Sequence, residues 1–396
     1  MLIDTLKIAA ERIRDQVVRD RRHLHARPEL SFHEYGTAEF IKSRLDEIGV
    51  EWKAAAETGV IGLIRGGLDS ADDPLVVLRA DIDALPITET GNKPYASQRA
   101  GVMHACGHDA HTASLLGTAA ILQSMRGAFH GTVKLIFQPG EEVLPGGASL
   151  MLKEGVLEGP SPAAVVGQHV MPGLPCGVIG VRSGKFMASM DELRVTVYGK
   201  GGHGAQPHLN IDPVTISAQI IVALQQLVSR MANPTLPTVL SFGKVVANGA
   251  VNVIPDQVYM EGTFRTLDES WRDEAHARMK KAAEGIASAL GASCEFQVVR
   301  GYPFLMNEEG LAAVVRQLAA EYVGAENVVD PGIWMAAEDF AYYSQAAAGC
   351  FYLLGTGNEG KGTCHSLHTA QFDIDEDALL ISTGLMAYIA LKRLGN

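Results

Sequence analysis

Cysteine, histidine and glutamate recur in this chain at spacings that suit metal-assisted hydrolysis. In HACGHDAHTA (104–113) one residue separates Cys106 from His108, so a thiolate and an imidazole can meet at one metal centre. Both are ligand types that zinc and its neighbours accept. FQPGEEVLPGG (137–147) sets Glu141 beside Glu142 in a loop rich in Gly and Pro. Adjacent carboxylates on extended backbone point in different directions, so one can hold a metal while the other faces the attacking water. His169 ends the run AAVVGQH (163–169), and His368 lies in CHSLHTAQFD (364–373). Each segment taken alone has a bland alternative: a half-buried cysteine among local histidines, a solvated acidic turn, a structural histidine. Four ligand-type segments together favour a shared metal centre. A rival chemistry makes Cys106 a nucleophile with His108 or His104 as its base. That reading leaves Glu141, Glu142, His169 and His368 without a role and predicts indifference to chelators.

The elements around these residues are those of a layered α/β domain. PLVVLRA (74–80), TVKLIFQ (132–138) and AAVVGQH (163–169) are short runs rich in Val, Ile and Leu, bounded by turn residues, as expected of strands buried on both faces. A helical pattern runs from Ala110 to Met125 after the acidic Asp109. Alternation of strand and helix predicts a mixed, largely parallel sheet with helices on both faces. Glu141, Glu142 and His169 then fall at the carboxyl ends of strands, where open α/β sheets bind ligands.

The pattern changes near residue 186. DELRVTVYG (191–199), TVLSFGKVV (238–246) and VYMEGTFRT (258–266) alternate apolar and polar residues with period two, which predicts antiparallel strands with one solvated face. Helical patterns cover about Pro213–Met231 and Ser270–Leu290, and α/β character returns from about Tyr302. The expected organisation is a larger α/β domain in two parts, 1–186 and 301–396, with a smaller α+β domain inserted at 187–300. The insert carries His203 in the glycine-rich GKGGHGAQPH, Asn252 in NVIPD and Arg265 in GTFR. Glycines let a backbone approach a ligand closely, and an Arg fork suits a carboxylate. The ordinary alternatives are a turn histidine, a turn asparagine and a surface arginine.

Composition sets the outer limits. The 396 residues are 47% hydrophobic and 20% charged, with a net charge of −12, an acidic balance that argues against nucleic acid as a partner. The N-terminal stretch is charged and lacks the apolar core of a secretory signal. No stretch approaches the roughly 18 or more uncharged apolar residues of a membrane span. Five widely spaced cysteines argue against a disulfide framework and for a reducing, cytoplasmic setting.

The segments RRHLHARPELSFHEYGTAEFI, LRADIDALP, MHACGHDAHTA, FQPGEE, GKGGHGAQPH, NVIPD, GTFR, AAEDFAYY, LGTGNE and SLHTAQFD run through nearly the whole chain. In this order they resemble the aminoacylase and carboxypeptidase family of dinuclear metallohydrolases, most of all its branch of hippurate hydrolases and auxin-conjugate amidohydrolases. The resemblance implies two divalent ions (zinc, manganese, cobalt or nickel) held by Cys106, His108, Glu142, His169 and His368, with Glu141 as general base. It implies that 1–186 and 301–396 form the catalytic domain and 187–300 a lid or dimerisation domain, that His203 reaches the partner subunit's site, and that Asn252 and Arg265 contact the substrate carboxylate. Asp81 and Asp83 would support the ligands from behind, with Glu338 and Asp339 in a similar part. The one small departure is Gly204, where the branch usually has Ala. The implied reaction is hydrolysis of an N-acyl-L-amino acid to a carboxylic acid and a free amino acid, in a homodimer or dimer of dimers. Alternatives are a carboxypeptidase or dipeptidase acting on short peptides, an N-acetyl-diaminopimelate deacetylase, and a binding protein that has lost the chemistry. The last would show a missing ligand or base, and none is missing.

Overall fold

The computed structural model describes residues 2–69 and 73–395. Helices α1 (Leu2–Ala26) and α2 (Tyr35–Ile48) precede strands β1 (Glu51–Ala55), β2 (Gly59–Arg65) and β3 (Leu75–Asp81). After α3 (His108–Ser124) come β4 (Thr132–Gln138), α4 (Gly147–Lys153), β5 (Ala164–Pro175), and the short strands β6 (Ile179–Gly180) and β7 (Gly184–Met187). The next stretch holds β8 (Asp191–Tyr198), β9 (Gly202–His203), α5 (Pro213–Gln226), β10 (Thr238–Val246), β11 (Val253–Ile254), β12 (Gln257–Thr266), α6 (Glu269–Ala289) and β13 (Ser293–Arg300). The chain ends with β14 (Leu305–Asn307), α7 (Glu309–Val323), β15 (Val328–Val329), α8 (Ala341–Ala346), β16 (Gly349–Gly357) and α9 (Asp377–Arg393).

Two compact units result. The first comprises Met1–Phe186, Met306–Ile333 and Asp339–Asn396, and the second Met187–Leu305 with the strap Trp334–Glu338. The first is built on a sheet of order β1-β2-β4-β3-β5-β16-β6-β15. Its central neighbours β4, β3, β5 and β16 run parallel, while β1 and β2 are antiparallel additions at one edge. Every residue of β3 and of β16 is buried, so this part of the sheet is covered on both faces, which is why its strands read as unbroken apolar runs. Helix α3 has 14 buried residues among its 17 and packs with α1 and α9. Gly117 makes that packing possible: a Cβ there would lie 2.7 Å from Val17 of α1 and 2.9 Å from Thr383 of α9.

The second unit has its own core on a four-stranded antiparallel sheet of order β10-β12-β8-β13. β8 alternates buried with more exposed residues, and α5 and α6 pack on the sheet. Asp212 and Asp268 start the two helices by accepting the amides of Val214 and Trp271. A separate ribbon pairs β9 with β11.

Three expectations change. Helix α3 begins at His108 rather than Ala110, because Gly107 at φ 83° takes the left-handed turn that starts it. Strand β5 runs past His169 to Pro175, because β16 continues to pair with it beyond that point. Pairing of β5 with β3 stops at Gly167, so His169 still projects past the end of its other neighbour. Finally, Pro213–Met231 is long and apolar enough to cross a membrane by length and composition. Its buried residues Ile216, Ile220, Leu224 and Leu227 belong to the core of the second unit, while Val214, Val222 and Met231 are exposed.

Replacing Gly117 by Val should lower stability by about 1–3 kcal/mol through overpacking between α1, α3 and α9. Thermal unfolding followed by circular dichroism checks this; an unchanged melting temperature would mean that the three helices do not pack as closely as described.

Candidate metal centre

Two parallel strands, β3 and β4, deliver the acidic half of the site. β3 ends at Asp81 with Asp83 just beyond, and in the parallel register Asp81 lies beside Gln138, the last residue of β4. The chain then turns through Gly140, at φ 57°, to Glu141 and Glu142. A Cβ at Gly140 would meet the Phe32 ring at 2.2 Å, so only glycine fits this turn. Cys106 and His108 flank Gly107, where a Cβ would lie 2.4 Å from Val170. His368 adopts φ 60°, uncommon for a residue with a side chain, and its amide bonds the carbonyl of Ala105 at 2.8 Å.

The structure brings all five expected ligands together. Cys106 forms one triad with His108 and His169 and another with Glu142 and His368, the ligand atoms of each lying within 4.8 Å of one another. Cys106 Sγ is 3.3 Å from Nε2 of both His169 and His368. Glu142 Oε1 is 3.3 Å from His368 Nε2 and 4.0 Å from His108 Nε2. Glu141 joins Glu142 and His108 in a third group and is 6% exposed.

Hydrogen bonds made away from the centre aim these atoms. His169 Nδ1 donates to the Val170 carbonyl at 2.7 Å, leaving Nε2 free of its proton and facing Cys106. His108 Nδ1 is 3.1 Å from Asp83 Oδ1, and Asp83 Oδ2 accepts both Ser31 Oγ at 2.6 Å and the Glu142 amide at 3.0 Å. One carboxylate thus orients two candidate ligands, a common arrangement behind metal-binding histidines. Asp81 accepts His111 Nδ1 at 2.6 Å, and His111 Nε2 accepts the Val170 amide at 2.9 Å, which steadies the strand carrying His169.

The electrostatics call for cations. Burial would lower the pKa of His108, but Asp81, Asp83 and Glu142 overcome it and push the value up to about 10. Burial and the charges of Glu142, Glu141 and Asp81 hold the Cys106 thiol well above its usual range. An activated nucleophile needs the opposite shift. Burial also works against ionised Asp81, yet His108, Arg79 and His111 keep it well below the usual carboxylate range. His169 is held neutral, chiefly by burial and by His111. Buried His108 Nε2 and Glu142 Oε1 make no hydrogen bond, an omission that buried polar atoms rarely tolerate. A thiol, three imidazoles and a carboxylate converging with unused lone pairs fit divalent ions of the zinc type.

The remaining expected residues lie in the second unit. His203 and Asn252 meet in the β9–β11 ribbon: the Gly204 amide bonds the Asn252 carbonyl at 2.8 Å. Both side chains are exposed. His203 Nδ1 accepts the Ala205 amide at 3.1 Å, which places the ring proton on Nε2. Arg265 is half-buried on β12, with Nη1 donating to the Met335 carbonyl at 3.2 Å. Glu338 closes the strap of the second unit.

Several supporting residues escaped the sequence reading. His111 stands three residues after His108, a helical spacing that puts both on one face and could have found it. Ser31, Arg21 and His25 had no such signal. Arg21, fully buried on α1, donates to Asp109 of α3 at 2.8 Å and to Asp373 at 2.7 Å, while His25 bonds the same Asp109 oxygen.

A centre of this composition at the carboxyl ends of parallel strands defines a metal-binding hydrolase. The chain belongs to peptidase family M20/M25/M40, whose model matches residues 77–392. It is 40% identical over 380 residues to N-acetyl-L-cysteine deacetylase of Bacillus subtilis, covering 96% of this chain and 88% of the relative. It is 42% identical over 312 residues to N-acyl-L-amino acid amidohydrolase of Geobacillus stearothermophilus, covering 78% and 83%. The solved structure of a dinuclear metal-binding peptidase of the M20 family from Bacillus subtilis superposes with a TM-score of 0.83 at 38% identity, covering 97% of this chain and 99% of that one. The chain is therefore a hydrolase acting on amide bonds, in a family that binds two metals.

Replacing Asp83 by Ala should weaken metal binding about 10–100-fold, since it releases His108 and the Glu142 loop together. Titration of the metal-free protein with zinc or manganese measures this, and unaltered affinity would show that Asp83 does not orient the ligands.

Proposed function

We propose that this hydrolase cleaves the amide bond of N-acyl-L-amino acids, releasing a carboxylic acid and a free amino acid. The observation that carries the reading is the convergence of Cys106, His108, Glu142, His169 and His368 around the buried Glu141. The names of the two relatives, a deacetylase and an amidohydrolase of acylated amino acids, agree with it in substrate class.

In this reading the five residues hold two divalent ions, which supply Lewis acidity to the scissile carbonyl and to the attacking water. Glu141 takes the proton from that water and returns it to the leaving nitrogen as the C–N bond breaks. His203 donates from Nε2 to the oxygen on which negative charge develops, and Asn252 and Arg265 hold the carboxylate of the amino-acid half. The second unit serves as lid and dimerisation domain, and His203 acts on the site of a second copy. Two features support a homodimer. Helix α5 shows solvent Val222, 70% exposed, with Val214 at 39%, and among the described residues β10 is an edge strand beside β12, the kind of edge that recruits another strand.

Chelation should abolish release of amine from N-acetyl and N-benzoyl amino acids, and one divalent metal should restore it. Glu141→Gln should keep its metal and lose turnover. Loss of metal together with activity would instead place Glu141 among the ligands.

His203→Ala should cost ~10²–10³-fold in turnover, the usual loss for one such donor. Mixing it with the inactive Glu141→Gln protein should restore part of the activity, because a mixed dimer contains one complete site. No recovery, with mixed dimers confirmed by mass spectrometry, would mean that His203 serves its own chain or none.

A further inference from the structure

The Arg79 side chain links the end of β3 to the segment that leads into Glu141. It sits on β3 with no exposed surface. Its Nε donates to Gln138 Oε1 at 2.9 Å, Nη1 to Asp81 Oδ2 at 2.7 Å and Nη2 to Asp339 Oδ1 at 2.8 Å. Gln138 Nε2 in turn donates to both oxygens of Asp339 at 2.8 Å, and the Ala148 amide reaches Asp339 Oδ2 at 3.0 Å. The Asp339 carboxylate is therefore gripped from three sides. The Asp339 backbone amide donates to Glu141 Oε1 at 3.4 Å.

A structural ion pair would be the plainer account, but burying charge is a poor way to gain stability. Desolvation offsets much of the attraction, and apolar residues of equal volume often do as well. Here one guanidinium faces two fully buried carboxylates, Asp81 and Asp339, and the imidazoles of His108 and His111 also face Asp81. What it achieves is geometry. A planar fork fixes direction as well as distance, which the point charge of a lysine does not. Each partner of that fork also belongs to a segment of the metal centre: Asp81 behind His108 and His111, Gln138 three residues before Glu141, and Asp339 against Glu141 itself.

We propose that Arg79 is a positioning residue for the general base: its guanidinium sets the Asp339 carboxylate, and the Asp339 amide aims the Glu141 carboxylate at the attacking water. The assignment rests on the reading of Glu141 as base. Neither Arg79 nor the Asp339 side chain touches substrate in this scheme, so both act on the rate of the chemical step and not on substrate affinity.

The test uses the metal-loaded full chain with an N-acetyl amino acid as substrate. Arg79→Lys keeps the charge and loses the fork; Asp339→Asn keeps the shape and loses the charge, and it carries the same test should the lysine variant not fold. Either change should lower kcat about 10²-fold, as small misplacements of a catalytic group do, with KM and bound metal unchanged. Added to Glu141→Gln, either should cost nothing further, since the base it positions is already gone. Full kcat in both variants, a loss that follows metal content, or an undiminished further loss in the Glu141→Gln background would overturn the proposal. Glu141→Gln with full turnover would overturn the reading of the base itself, and the positioning role with it. That outcome is told apart because it appears in the single variant.

Discussion

Repulsion among carboxylates is the constraint on which the first unit depends. Asp81, Asp83, Glu141 and Glu142 come together at the ends of two neighbouring strands, three of them essentially without solvent. Left to themselves, such groups would take up protons or move apart. The structure answers in two ways. Donors behind the site hold the negative charge in place: Ser31 and the Glu142 amide on Asp83, His111 on Asp81, Arg79 on Asp81 and Asp339. The remaining excess raises the affinity of the centre for positive charge, seen in His108 being pushed up to about 10 by its acidic neighbours. Divalent ions would satisfy that excess and the unused lone pairs of His108 and Glu142 at once.

Backbone geometry follows from the same need. Ligands from four separate segments have to approach a common point without their own Cβ atoms or neighbours intervening. Gly107 and Gly140 remove a side chain at the tightest places, beside Val170 and Phe32. His368 carries an imidazole, a candidate ligand, and still occupies the left-handed region at φ 60°. Strain of this kind persists where the surroundings over-determine it. Here the Ala105 carbonyl accepts its amide, tying it to the residue before Cys106. The same economy holds for α3, whose first residue is a candidate ligand and whose body is buried among α1, α9 and the sheet.

The parts of this design that the sequence announces are those with local signatures. Buried parallel strands appear as unbroken apolar runs, the antiparallel unit as alternation, and the ligands as reactive residue types placed just after strands or at a helix start. The start of α3 was read two residues late because a left-handed glycine cap before an imidazole has no strong propensity signal. The full length of β5 was missed because its second half is held by β16, more than 170 residues further along the chain. Pro213–Met231 shows the converse: Ile216, Ile220, Leu224 and Leu227 pack in the core of the second unit while Val214 and Val222 are exposed, and composition alone does not distinguish this from a lipid-facing helix. Ser31, Arg21 and Arg79 stayed invisible since each acts through partners far away in sequence, and an isolated serine or arginine carries no mark of its destination.

The second unit shows how an insertion can be held within such a chain. Its first strand, β8, and its last, β13, are neighbours in one sheet, so entry and exit lie side by side. Arg272 of α6 fastens them: Nη2 donates to the carbonyls of Met190 and Gly301, both at 3.0 Å, and Nε and Nη2 engage both oxygens of Asp191. Asp191 Oδ1 accepts the Gly301 amide in return, and His276 approaches its other oxygen at 2.6 Å. With burial opposing ionisation but His276 and Arg272 outweighing it, Asp191 stays below the usual carboxylate range and remains a fixed acceptor near neutral pH. Closing the loop at its base removes the entropy that two free ends would keep. The inserted unit can then complete its own core of Leu193, Val195, Phe264 and Met279 without borrowing from the sheet that carries the metal ligands, and that sheet is left to be shaped by the chemistry at its strand ends.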